Sequence, residues 1–517
     1  MKSRSSRRRI DVNVDELDRI IDGAMRAPLS ETDGRTLRTA VHAMAERLVK
    51  QRSTEKTSAV LNKPQGSGTA PGVPSDTGKS RAAGHGRNGA AAFTGANRVA
   101  VAHATLQSGD PCPECREGKV YRQKEPKTLV RIVGRPPLEA TVFEMERLRC
   151  NGCGEVFTAG DPQAAAPEKF DTTAVAMIAL LKYGTGMPFN RMERLEGQLG
   201  MPLPAATQWE LMEGAAKPIK RVLDELIRFA AQGSVMHNDD TSMRILKLAR
   251  STDDGRTGTF TSGIVSICGE WKIALYFTGW KHAGENLADV LKQRAPGLAP
   301  PIQMCDALSR NTPKLTGIEI LLANCNAHGR RQFTEVAASF PAECLYVLES
   351  LGAVYGFDAE TKERGLTSEE SLKFHQTHSA PVMEELHQWM EAQFAEHKTE
   401  PNSGLGRAIS YLLRHWTKLT LFLRQQGAPL DNNVVERALK KAILHRKNAL
   451  FYKTMNGARV GDLFMSLIHT CELNKVNPFD YLTELLRHPA ELTVQPAEWM
   501  PWNYRSTLER ITRPAAA

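Results

Sequence analysis

Apolar residues recur along the chain with two different periods, and the changes of period divide it. Val14, Leu17, Ile21 and Ala24, then Leu37, Val41, Met44 and Leu48, follow the three-to-four-residue spacing of helices that bury one face. Ser30 with Asp33 three residues later reads as the capping box of the second of these helices. Residues 1–50 are therefore expected to form a helical hairpin. The period is then lost over 51–110. Between 66 and 92, Gly, Ser, Pro and Ala dominate with scattered Lys and Arg. Such a composition cannot bury a core and predicts a basic flexible linker.

In 111–160 the alternation of Leu129, Arg131, Ile132 and Val133, then Val142, Phe143 and Met145, predicts short hairpins. Helical spacing returns over 170–230, with an apolar helix at 174–181 and a second at 188–199 carrying Met192 and Leu195 on one face. Gly200-Met-Pro-Leu-Pro204 breaks it. A helix restarts over 205–212 around Thr207, Gln208 and Trp209, followed by the amphipathic run of Val222, Leu223, Leu226 and Ile227. Two helices joined by a short Gly-containing turn match a helix-turn-helix, whose second helix would bring Thr207 and Gln208 to the major groove.

At Ser234 the period changes to two. Strands are expected at 235–240, 257–268 and 273–277, with Cys268-Gly-Glu-Trp271 as a turn, then a helix at 285–292, strands at 301–306 and 318–323, and a helix at 327–339. Over 231–340 these elements are expected to fill the β-β-β-α-β-α-β-α order of a ribonuclease-H-like mixed-sheet core. Residues 341–428 read as an all-helical insertion, with helices at 345–355, 383–394 and 409–423. An insertion of that size is tolerable because loop-closure cost grows only logarithmically. Residues 429–488 would complete the core, where Val460, Leu463, Phe464, Leu467, Ile468 and Cys471 form an apolar packing stripe, and 489–517 would be a C-terminal tail. The expected fold class is thus multidomain α/β plus α.

Composition narrows the function. Of 517 residues 41% are apolar and 24% charged, as in soluble globular proteins. No apolar run reaches the roughly 18 residues of a membrane helix. Arg7, Arg8 and Arg9 are followed by no apolar stretch, so no secretory signal is expected. Nine cysteines, an odd number, fit a reducing cytosol. Sixty-seven basic against 58 acidic residues leave a net charge of +9, which points to a polyanion partner.

Two motifs carry chemistry. Cys112-Pro-Glu-Cys115 and Cys150-Asn-Gly-Cys153 are C-x-x-C knuckles separated by 34 residues. Two such turns supply the four thiolates of one structural Zn²⁺, so 111–160 is expected to be a zinc ribbon. Asp239 and Asp306 fall at the ends of two predicted strands, and Glu436 in the first turns of a helix opened by Asp431 or Asn432. Carboxylates converging at about 4 Å repel by roughly 1–4 kcal/mol per pair. Divalent ions that prefer oxygen relieve that repulsion, and two Mg²⁺ or Mn²⁺ ions would activate a nucleophile and stabilise a leaving oxygen at a phosphodiester. Asp240 is the bystander of its pair, and Glu472 the alternative third acid. Arg437, Lys440, Lys441, Arg446 and Lys447, continued by Lys453 and Arg459, read as a phosphate track beside Glu436. Cys325 and His328 have ligand spacing but only two members, which favours packing beside the acids. His237 reads equally as a satisfied strand histidine.

The chain resembles the DDE transposases of the insertion sequence 66 type. The likeness runs from about Val14 to Leu486 through Gly84-His-Gly-Arg-Asn-Gly89, the two knuckles, Lys182-Tyr183, Pro188-Phe-Asn-Arg191 and His237-Asn-Asp-Asp-Thr241. It continues through Cys325-Asn-Ala-His-Gly-Arg-Arg331, Asp431-Asn-Asn-Val-Val-Glu-Arg437, Arg446-Lys-Asn448, Ser466-Leu-Ile-His-Thr470 and Asn477-Pro-Phe-Asp-Tyr-Leu482. The resemblance implies a ribonuclease-H-like core with Asp239, Asp306 and Glu436 as its metal-binding catalytic acids. It implies binding of terminal inverted repeats, DNA cleavage and strand transfer, homo-oligomers assembled on double-stranded DNA, and small accessory proteins of the same element. Such proteins often carry Asp-Gly-Tyr at the second acid, where this chain has Asp306-Ala-Leu-Ser-Arg310. A non-catalytic DNA-binding regulator and a hydrolytic nuclease of the same fold are the alternatives.

Overall fold

A computed structural model describes residues 90–92, 96, 98–123, 127–132, 136–151, 153, 155–160, 168–248, 256 and 258–512. The expected N-terminal hairpin and most of the expected linker lie outside the described residues. The described residues between 90 and 139 belong to one unit, and those from Ala140 onward to a second.

In the smaller unit the first knuckle is a tight turn. Pro111 bridges Lys119, the Cys112 N–H donates to the Gly118 carbonyl at 2.7 Å, and Arg116 takes a positive φ of 59°. In the larger unit β1 (Arg147–Arg149) pairs antiparallel with β2 (Val156–Thr158), and the second knuckle sits on the turn between them. The hairpins expected from Leu129 and Val142 are not found among the described residues. Leu129, Ile132 and Val142 are exposed and lie in no strand among the described residues.

Helix α1 (Thr172–Ala179), capped by the Asp171 carboxylate at the Ala174 N–H, runs into a π-turn at Leu180–Gly184. Then come α2 (Phe189–Gln198) and α3 (Ala205–Ala230). The two helical runs expected at 205–212 and 222–227 are one. Met212, Ala215, Ala216, Ile219, Val222, Leu226 and Ala230 form one continuous buried stripe, so α3 persists for 26 residues, with Pro218 inside it.

The core follows as β3 (Val235–Ser242), β4 (Ile245–Lys247), β5 (Phe260–Cys268), β6 (Trp271–Gly279), α4 (Ala283–Leu291), β7 (Ile302–Cys305) and β8 (Leu321–Asn324). Five of these strands form a mixed sheet in the order β6-β5-β3-β7-β8. β3 and β6 run antiparallel to β5, whereas β7 lies parallel to both β3 and β8. Between β7 and β8 stands only a 3₁₀ turn, Ser309–Asn311, where a helix was expected.

Helix α5 (Asn326–Val336) leads into the insertion, made of α6 (Pro341–Glu363), α7 (Ser368–Ala395) and α8 (Gly404–Leu419). These bury a core of their own around Leu348, Leu386, Met390 and Leu412. The chain then returns through α9 (Asn433–Ala449), β9 (Tyr452–Thr454), which pairs with β4, and α10 (Met455–Leu473). Helix α9 lies against one sheet face at Gly263, where a Cβ would meet Leu439 Cδ2 at 2.9 Å. On the opposite face Asn286 of α4 donates to the neighbouring Ser262 at 2.8 Å.

The β6 edge is closed by a helix. The N–H groups of Lys272, Ala274, Tyr276 and Thr278 donate in turn to the side chains of Asn474, Thr470, Ser466 and Asp462, four residues apart along α10 and its C-cap. The expected tail is folded, as α11 (Pro478–Arg487), α12 (Pro489–Val494) and α13 (Tyr504–Thr512), with Trp499 buried and Tyr481 packed edge-on against Tyr504. No helix among the described residues is long and apolar enough to cross a membrane.

Candidate active site

The site begins where strand pairing stops. β3 continues to Ser242, but its pairing with β7 ends at His237 opposite Met304. Asp239 is therefore inside β3, paired with Gly263 on the β5 side and open on the β7 side. Asp306 follows β7 directly. The open end of parallel strands is where sheets of this kind offer a crevice.

A residue with no sequence signal ties the two acids together. The side-chain amide of Asn311 donates to Asp239 Oδ1 at 3.0 Å and to Asp306 Oδ1 at 2.6 Å. Its backbone carbonyl accepts from Asn238 and Gln303, both at 2.7 Å, so the turn carrying it is anchored to β3 and β7. The Leu308 N–H also donates to Asp306 Oδ1, at 3.1 Å.

Glu436 arrives on α9, which Asn432 fastens to the sheet. Asn432 is fully buried, accepts at Oδ1 from His237 Nδ1 at 3.1 Å and donates to the Asn238 carbonyl at 3.1 Å. Its own N–H donates to Cys325 Sγ at 3.2 Å. Burial holds the His237 imidazole down to about 4, so a neutral ring donates to Asn432. His237 and Cys325 are thus holding residues. Asp431 accepts from the Asn433 N–H at 3.0 Å, and Glu436 donates its N–H to the Asn432 carbonyl as the helix starts. His328 Nε2 lies 3.5 Å from Glu436 Oε1.

The acids feel one another. Burial, and then the carboxylates of Asp306 and Glu436, push the Asp239 carboxyl up to about 7, against the lowering pull of the Asp240 N–H and the Asn311 amide. As the side chains lie, no three His, Cys, Asp or Glu among the described residues close into a ready coordination sphere. The donor set nonetheless fits a hard cation: two aspartates bridged by one amide and a glutamate within electrostatic reach, all presenting oxygen. Asp240 turns away from this centre. Its nearly inaccessible carboxylate meets His282 Nδ1 at 2.7 Å and Arg310 Nη2 at 3.6 Å. Tyr411 of the insertion stands beside Asp306, and burial with that carboxylate pushes its phenol up to about 12.

A model of the Transposase IS66 family matches residues 169–460 of the 517. The chain belongs to this family. Among curated proteins it is similar to two uncharacterized proteins of Sinorhizobium fredii strain NGR234. Protein y4jD is 27% identical over 387 residues, covering 70% of this chain and 71% of that protein. Protein y4hP is 25% identical over 386 residues, covering 70% and 67%.

In this IS66-family chain the residues expected to touch DNA fall into two groups. Arg437, Lys440 and Lys447 are exposed along one face of α9. Lys441 and Arg446 are instead used within the fold. Lys441 Nζ bonds Glu472, the alternative third acid, at 2.8 Å. Arg446 bonds the hydroxyls of Thr241 at 2.9 Å and Ser242 at 2.7 Å. Gln208 is a correction to the groove-reading expectation: it is fully buried and donates to the carbonyls of Leu203 at 2.9 Å and Phe189 at 3.2 Å, locking α2 onto α3. Thr207 is half-buried beside it.

Proposed function

We propose that this chain is a DNA transposase that cleaves and joins its element's ends at Asp239, Asp306 and Glu436. The five-stranded mixed sheet is compatible with a transposase core and supports a ribonuclease-H-like reading, and the observation that carries the site is the Asn311 amide joining Asp239 to Asp306. Two Mg²⁺ or Mn²⁺ ions, held by the three carboxylates, would supply activation of the attacking oxygen and charge neutralisation at the leaving oxygen. The chain's own part is positional. β3 and β7 fix two acids at the crevice, Asn432 sets the α9 register that brings in the third, and His328 orients Glu436. Arg437, Lys440 and Lys447 on α9 hold backbone phosphates of the double-stranded end. By their spacing in the sequence, Cys112, Cys115, Cys150 and Cys153 would hold one Zn²⁺, which would serve folding. The setting is the bacterial cytoplasm, on the chromosome, with copies assembled on DNA and small proteins of the element assisting.

Strand transfer of a pre-cleaved end, run beside a binding assay, tests the assignment. Asp239→Asn, Asp306→Asn and Glu436→Gln should each abolish cleavage and joining while leaving DNA affinity near wild type. Because the three act as a unit, double variants should be hardly worse than singles. Asp240→Asn should be much milder. Near-normal joining by Glu436→Gln would refute the site, and hydrolysis without joined products would make the protein a nuclease.

A further inference from the structure

A second charged feature lies on the face of the sheet opposite α9. Between α4 and the turn that carries Asn311 runs a cleft of about 510 Å³. Its walls carry five cations, Arg256, Lys281, Lys292, Arg310 and Lys314, against two carboxylates, Glu285 and Asp289. Glu285 is taken up by both nitrogens of Arg256, at 2.8 and 2.9 Å. Asp289 is shared by Lys281 and Lys292, so one positive charge is left over there. Lys314 is exposed and has no carboxylate partner among the described residues. Arg310 is half-exposed, and its guanidinium meets Asp240 at 3.6 Å.

The cleft is built into the core. At Gly284, in the first turn of α4, a Cβ would meet the carbonyl oxygens of Thr312 at 2.6 Å and Arg310 at 2.7 Å. The turn and the helix therefore touch backbone to backbone, and any side chain at 284 would prise them apart. The cleft also adjoins the turn that follows Asp306. Arg310 precedes Asn311, the residue that bridges Asp239 and Asp306, and His282 of the cleft wall bonds Asp240, the neighbour of Asp239.

We propose that this cleft is a phosphate-binding channel for the DNA strand as it leaves the acids, with Arg310 and Lys314 as its principal contacts. The inference rests on the transposase reading. A polyanion strand reacting at the carboxylates has to cross repulsive acidic ground, and cations immediately beside that ground offset the cost. The α9 stripe and this cleft then grip DNA from opposite faces of the sheet.

The test is the salt dependence of binding by the full chain to a fluorescein-labelled duplex of arbitrary sequence. Arg310→Ala with Lys314→Ala should flatten the log-affinity against log-salt slope by about 0.9 for each phosphate no longer neutralised. Arg310→Lys with Lys314→Arg, which keeps both charges, should restore it. Lys362→Ala with Lys373→Ala, on the helical insertion, should leave it unchanged. A steep slope in wild type that the double alanine variant retains would overturn the channel and leave the transposase reading standing. Binding by wild type that ignores salt altogether would overturn both.

Discussion

Asn311 donates its side-chain amide to Asp306 at 2.6 Å, and neither residue is free to drift from that contact. Both are buried, and the Asn311 backbone is fastened to β3 and β7. The same amide reaches Asp239, so the spacing of two acids depends on one neutral side chain. A hydrogen bond to a charged group is worth about 1.5–3 kcal/mol. Asn311→Ala should therefore slow cleavage and joining roughly 10- to 100-fold. DNA affinity should stay near wild type. Single-turnover cleavage beside a binding isotherm separates the two, and an unchanged rate would show that the amide is not what spaces the acids.

The cations of α9 should divide by what they already hold. Replacing Arg437, Lys440 and Lys447 with Ala should flatten the salt slope of DNA binding by about 0.9 per phosphate released, with stability unaffected. Arg446→Ala should do the reverse. Without its bonds to Thr241 and Ser242 the protein should unfold in urea about 1–2 kcal/mol more easily, with little change of slope.

The cysteine spacing expects one zinc per chain. Metal analysis of purified protein should find it, and Cys112→Ser with Cys150→Ser should remove it. Zinc content unchanged in that variant would place the ion elsewhere.

Asp462 makes the fold sensitive to pH. It accepts from the Thr278 N–H at 2.7 Å and from the Thr278 hydroxyl at 2.6 Å, yet burial pushes its carboxyl up to about 7 from 3.8. A folded value above the unfolded one means that the native state binds the proton more tightly. Stability from this group is full below pH about 4 and falls as pH rises through about 7. Asp462→Asn can still accept from the N–H and can donate to the hydroxyl oxygen. Its melting temperature should change less across that window than that of wild type. Parallel pH profiles would disprove the account.

Much of this was readable from residue order. The period change at Ser234, the strand that Asp306 closes, and the helices of 341–428 all show because burial on one face leaves a periodic trace. Glu436 was legible because Asp431 and Asn432 mark a helix start. Asn311 was not, since a lone Asn in a non-periodic turn looks like any loop residue. Gln208 misled because a polar residue on a helix reads as outward until the carbonyls it satisfies are known. Pattern alone also hid the length of α3 and the side-chain ladder of α10. Asp462, Ser466, Thr470 and Asn474 have the spacing of a solvent face, and only the position of β6 shows them to be inward acceptors.

That ladder has a consequence for assembly. A bare strand edge is a template on which a further strand, from the same chain or another, can grow. Here every outward N–H of β6 from Lys272 to Thr278 is already spoken for by a helix that cannot be peeled away without exposing the buried Phe464, Leu467 and Ile468. A second copy that joins this one at that side must therefore meet it through side chains and not by extending its sheet.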